Sequence, residues 1–108
     1  MNKSYADYVL IFKALADETR LRIIQILSNG EMCACKILEE FNITQPTLSY
    51  HMKVLTESGL VHGVRDGAWM RYSLNIENGN ELKQFLDQLF SGKSSLVNSE
   101  SGYQKIKP

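Results

Sequence analysis

Three residues, Asn42-Ile43-Thr44, are all that separate two helical patterns in this 108-residue chain. A connection so short admits only a tight turn, which makes the pair a helix-turn-helix pattern. The second helix carries its own start signal. Thr44 is a good N-cap, with a side-chain oxygen free to accept from a first-turn N–H, and Pro46 falls where a missing N–H costs nothing. At about 100° per residue, Leu48, His51, Met52 and Leu55 share one side. Pro46, Ser49, Tyr50 and Lys53 take the other, and Gln45 and Thr47 stand at the tip. An apolar back with a front of short polar groups and one cation suits the major groove of duplex DNA. The same pattern also describes an ordinary surface helix, so its neighbours must decide.

Upstream, Tyr5, Tyr8, Val9, Phe12, Leu15 and Ala16 recur at helical spacing and predict an amphipathic helix over 4–16. Asp17 reads as the N-cap of a second helix through Leu21, Ile23, Ile24, Ile26 and Leu27. That helix is apolar around much of its girth, which puts it at the centre, and Asn29-Gly30 stops it. A third helix is expected from near Met32 or Cys33 to Asn42, burying Ala34, Ile37, Leu38 and Phe41.

Downstream, Ser58-Gly59 ends the groove-facing helix. Asp66-Gly67 between the extended runs 60–65 and 68–74 is a strong hairpin signal. Met70, Tyr72 and Leu74 alternate with Trp69, Arg71 and Ser73, so one face packs inward. A hairpin there is a wing, with Arg65 and Arg71 placed to reach phosphates or the minor groove. Asn80 is expected to open a last helix carrying Leu82, Phe85, Leu86, Leu89 and Phe90. The fold is therefore mainly α with a β-hairpin wing, in the order α-α-α-α-β-β-α. The apolar stripes on the first and last helices exceed what so small a domain covers by itself, which implies a C2 homodimer through them. Residues 1–91 form this winged helix-turn-helix domain, and 92–108 read as a flexible C-terminal tail.

Composition excludes several classes. With 44% apolar and 22% charged residues the chain is globular. It has neither a run long enough to span a bilayer nor signal-peptide architecture, so the expectation is a cytoplasmic protein with no membrane partner. In that compartment two cysteines should be reduced thiols, not a bridge. An enzyme is not indicated: the histidines lack a nucleophile partner, the cysteines lack a base, and there is no phosphate loop. Twelve basic and twelve acidic residues cancel, which, with Trp69 beside the wing tip, leaves open a winged helix serving as a protein-interaction module. Ser49, Lys53, Arg65 and Arg71 on one surface favour DNA.

Cys33 and Cys35 carry the remaining chemistry. Thiolates are soft ligands that suit As(III), Sb(III), Cd(II) or Zn(II), and a helix start favours the thiolate. Residues two apart on a regular helix, however, point roughly 200° away from each other. One ion holds both sulfurs only if the first turn unwinds or Cys33 lies outside the helix. Unwinding would tilt the helix-turn-helix and weaken DNA binding. The other readings are a sensor of thiol oxidation and a pair of inert buried side chains.

The strings themselves resemble a known family. Leu15-Ala16-Asp17-Glu18-Thr19-Arg20-Leu21-Arg22-Ile23-Ile24 looks like the second-helix signature of the ArsR/SmtB metal-sensing repressors. Residues 44–52 resemble that family's recognition helix and 67–72 its wing. Glu31-Met32-Cys33-Ala34-Cys35-Lys36-Ile37 is similar to its third-helix metal box of arsenite- and antimonite-responsive members. The resemblance spans residues 4–90. It implies a homodimer on a palindromic operator that needs no cofactor to bind DNA and leaves on binding a metal(loid) inducer. It also implies DNA reading by Gln45, Thr47, Ser49 and Tyr50. Tyr50 replaces a second histidine common in the family, and His51 is assigned to packing and hydrogen bonding. Leu38 stands where some relatives carry a third cysteine, so a third ligand would be water, hydroxide, a small thiol or the other subunit. The family's other sensor site needs histidine on the last helix, and residues 80–90 have none.

Overall fold

The computed structural model describes residues 3–92. The elements run α1 (Tyr5–Leu15), α2 (Glu18–Leu27), β1 (Met32–Cys33), α3 (Ala34–Glu39), α4 (Gln45–Glu57), β2 (Val61–Asp66), β3 (Trp69–Leu74) and α5 (Ile76–Phe90). Residues 93–108, nearly all of the anticipated tail, lie outside the described residues. Among those described, no helix is long and apolar enough to cross a membrane.

Side-chain caps set where the helices begin. Ser4 and Asp7 form a reciprocal capping box at the start of α1. The Asp17 carboxylate accepts from the Arg20 N–H at 3.1 Å, and the Thr44 hydroxyl accepts from the Thr47 N–H at 3.3 Å. Each satisfies a donor that the first helical turn leaves without a partner.

The core joins Ile11 and Ala14 of α1, Ile23 and Leu27 of α2, Ile37 of α3, and Leu48, Met52 and Leu55 of α4. Leu60, Val61 and Tyr72 close it from the sheet side. Each large aliphatic side chain taken out of water there stabilises the fold by about 1.5–3 kcal/mol. On α1 the expected stripe is largely the wrong one: Ile11 and Ala14 face the core, whereas Tyr5, Val9 and Phe12 remain exposed. On α2, Leu21 also stays outside.

Four sequence expectations change. The wing is not a bare hairpin but a three-stranded antiparallel sheet in the order β1-β3-β2. Met32 pairs with Tyr72 and Cys33 with Arg71, which keeps Cys33 out of α3, and α3 is six residues long, ending at Glu39 rather than Asn42. The wing turn is Gly67-Ala68, with Asp66 paired to Trp69. Gly67 has a φ of +65° and no non-glycine among the described residues has a positive φ, which is the pattern of a type II′ turn. Lastly, α5 begins at Ile76, because Asn75 rather than Asn80 caps it and accepts from the Asn78 N–H at 3.0 Å.

Asn75 and Asn78 also anchor α5 to the end of α4. The Asn75 N–H donates to the Leu60 carbonyl at 2.8 Å, and Asn78 Nδ2 donates to the Gly59 carbonyl at 2.8 Å. Gly59 has a φ of +87°, and a Cβ there would lie 3.1 Å from Asn78 Nδ2. Glycine fits both the left-handed backbone and the close approach. Beyond that anchor α5 buries no residue completely. Phe85 stacks on Tyr8 of α1 with ring centroids 3.8 Å apart, and Leu89 and Phe90 are left exposed.

Candidate DNA-binding face and cysteine pair

The front of α4 is open. Gln45, Thr47, Ser49, Tyr50 and Lys53 are all exposed, while Leu48, Met52 and Leu55 are buried behind them. This division is the one the helical wheel predicts. Thr47 is the most constrained of the polar set, because its hydroxyl accepts from the Thr44 hydroxyl at 3.0 Å. His51 is half-buried, with Nδ1 3.0 Å from Arg20 Nη1, in keeping with a role facing inward.

The two wing arginines are not equivalent. Arg65 is exposed and has no ion-pair partner among the described residues. Arg71 is held: its Nε lies 3.2 Å from the Glu31 carboxylate, and its Nη1 is 3.9 Å from that of Asp66. Arg71, expected like Arg65 to reach phosphates or the minor groove, thus has its charge offset by two carboxylates. Pairings across 40 residues leave no local signal in a sequence. Between wing and α4 lies a cleft of about 160 Å³, lined among others by Gln45, Ser49, Arg65 and Trp69. Below it Tyr72 is buried, and desolvation raises its phenol pKa against the opposing charge of Arg65.

Cys33 and Cys35 are brought together, and the reason is local. Cys33 is not in the helix: it has the extended φ and ψ of −67° and 142° and serves as the N-cap of α3. Its Sγ turns back over the first turn and accepts from the Cys35 N–H at 3.1 Å. The two sulfurs meet as a disulfide, with Cα atoms 5.2 Å apart. One expectation is corrected here: the pair is bridged rather than two separate thiols. The sulfurs converge by the second of the two expected routes, with Cys33 outside the helix. Both residues are half-buried. Among the described residues no group of three or more His, Cys, Asp or Glu side chains is arranged to hold a metal.

A capped helix with an open polar front, set by a tight turn against a shorter helix and flanked by a three-stranded wing, defines a winged helix-turn-helix DNA-binding protein. Comparison with known proteins agrees. Residues 17–62 match the model of the bacterial regulatory protein arsR family. The chain is 45% identical over 84 residues to the arsenical resistance operon repressor of Staphylococcus xylosus, covering 78% of this chain and 81% of that protein. It is 49% identical over 72 residues to the repressor of the same name in Staphylococcus aureus, covering 67% and 69%. A homodimeric winged helix-turn-helix DNA-binding domain from Mycobacterium bovis superposes with a TM-score of 0.66 at 26% identity, covering 79% of each chain. The protein belongs to the ArsR family and is a transcriptional repressor of that family, not an enzyme.

Proposed function

We propose that the protein is an operator-binding homodimer that a thiophilic metal(loid), foremost As(III) or Sb(III), releases from DNA by binding Cys33 and Cys35. The observation that carries this reading is the position of Cys33. It is at once a strand residue of the wing sheet, opposite Arg71, and the cap of the first helix of the helix-turn-helix. An ion that draws on both sulfurs therefore pulls on the wing and on α3 together. The names of the staphylococcal relatives, arsenical resistance operon repressors, support the choice of ion. Cd(II) and Zn(II) suit the same sulfurs less specifically.

In this reading Gln45, Thr47, Ser49 and Tyr50 read base edges, and Lys53 and Arg65 meet phosphates. Arg71 contributes less because Glu31 and Asp66 hold it. The exposed apolar residues of α1 and α5 pair with those of a second copy, as the homodimeric neighbour supports. A small-thiol reductant first opens the Cys33–Cys35 bridge by disulfide exchange and is itself oxidised; the resulting dithiol takes up the ion, each thiol proton leaving with an arsenic hydroxide as water. A third ligand comes from outside the pair, such as a small thiol. Two recognition helices must meet half-sites about one DNA turn apart. A ligand that prefers the released state by about 3 kcal/mol then weakens the complex roughly 150-fold.

The test is fluorescence anisotropy on a duplex carrying the inverted repeat of the protein's own promoter, at two salt concentrations, with and without arsenite. Affinity should fall steeply with salt, as phosphate contacts require. Arsenite should release the reduced wild type but not Cys33→Ser, in which serine still caps α3. A Cys33→Ser variant that arsenite releases as readily as the wild type refutes the assignment. The disulfide favours a second reading, sensing of thiol oxidation. Comparing the reduced and bridged proteins without arsenite separates the two: release by oxidation alone supports the second.

A further inference from the structure

Arg20 touches three helices at once. Its Nε donates to the Ala14 carbonyl at 2.6 Å and its Nη2 to the Lys13 carbonyl at 3.4 Å, both at the C-terminal end of α1. Its Nη1 lies 3.0 Å from His51 Nδ1 on α4 and 4.0 Å from the Asp17 carboxylate at the start of α2. The side chain is only 11% exposed. One guanidinium thus ties the exposed apolar helix α1 to the groove-facing helix α4.

The chemistry of this contact fixes the state of the histidine. A guanidinium has donors and no acceptor and does not lose its proton in proteins. His51 Nδ1 must then accept, which requires the neutral ring with its proton on Nε2. Adding a proton to Nδ1 sets donor against donor and cation against cation. The charged and titratable groups around the ring are Arg20 and Asp17 from α2, Lys13 at the end of α1, which meets Arg20 through its carbonyl, and Tyr50 on its own helix. Asp17 would favour a charged ring, but its carboxylate is already engaged by the Arg20 N–H and guanidinium. A charged ring has no acceptor left for Arg20 Nη1, so the link between α1 and α4 opens.

We propose that Arg20 and His51 are positioning residues that set the recognition helix against α1, and that protonation of His51 releases this link and weakens operator binding. The inference rests on the operator-binding reading above. It predicts a sign opposite to that of a histidine beside phosphates, where added positive charge tightens binding.

Operator affinity is measured at constant ionic strength from pH 8 to pH 5.5, the range in which histidine changes charge. The wild-type Kd should rise at least about fivefold on acidification. His51→Asn puts a non-titrating amide oxygen where Nδ1 accepts, and should bind more tightly than His51→Leu with a flat profile. Arg20→Met should bind weakly at both extremes. The other histidine, His62, is exposed on β2, and His62→Gln should leave the profile in place. Should the variants fold poorly, the 15N resonances of the wild-type ring decide: a protonated Nδ1 at pH 8 overturns the proposal. So does a flat or acid-tightened wild-type profile. No operator binding even at pH 8 would instead overturn the operator-binding reading.

Discussion

Cys33 and Arg71 stand opposite each other in the β1–β3 ladder, so the cysteine pair and the held wing arginine share one strand pairing. Because Arg71 already has Glu31 and Asp66 as partners, the two wing arginines should separate in a salt titration. Arg65→Ala is expected to weaken operator binding on all sequences and reduce the salt slope by about 1. Arg71→Ala should change the slope far less. Anisotropy at four or five salt concentrations distinguishes them, and equal slopes for the two variants would contradict the ion-pair account.

Leu38 lies three residues beyond Cys35, on the same side of α3. Leu38→Cys should supply a third protein thiol and tighten arsenite binding at least about tenfold, read from ultraviolet absorbance of the arsenic–sulfur bonds. Leu38 also packs against the core. The shorter side chain should therefore cost about 2 kcal/mol, visible as a lower Tm.

Asp17 gives a pH-dependent contribution to stability. The Arg20 N–H foremost holds its carboxyl below the ordinary value of 3.8; burial, next in size, opposes it, and the Arg20 guanidinium and, once charged at acid pH, His51 add to the lowering. A depressed carboxylate stabilises the fold above its unfolded pKa, and that stabilisation is lost as pH falls through the folded value, below about 3.8. Asp17→Ala should cost about 1 kcal/mol at neutral pH, as for other lost N-caps. Asp17→Asn still caps, so it should stay near wild type at pH 7 and lack this component of acid unfolding. Urea unfolding at pH 7 and pH 3 checks both.

Leu89 and Phe90 are 55% and 83% exposed on α5. Replacing both with glutamate should leave the protomer folded, since neither contributes to its core. Withdrawing two large apolar side chains from a dimer interface should raise the dimer dissociation constant by at least about 100-fold. Sedimentation equilibrium reads this directly, and an unchanged dimer would move the interface elsewhere.

The parts of the fold that local chemistry decides were legible in the sequence. Asp17 and Thr44 announce their helices because a cap acts within three residues. The open front of α4 follows from helical period alone. What was not legible depends on distant partners. Met32 and Cys33 show no alternation that would mark a strand, and they become one only because β3 offers a free edge 40 residues later. The convergence of the cysteines follows from that, since pairing with β3 keeps Cys33 out of the helix. Arg71 reads as a free cation until Glu31 is folded beside it. Asn75 is a missed local signal: it lies three residues before Asn78, the spacing of an N-cap, five residues ahead of the expected start at Asn80.

Trp69 is the chain's single tryptophan, and it lines the cleft between the wing and α4. The molecule thus carries an intrinsic optical reporter at the boundary where DNA would sit. Its emission follows that boundary without any dye, so occupancy of the cleft by a duplex, and departure of the duplex when a soft ion arrives, can be timed by stopped flow on the unlabelled protein.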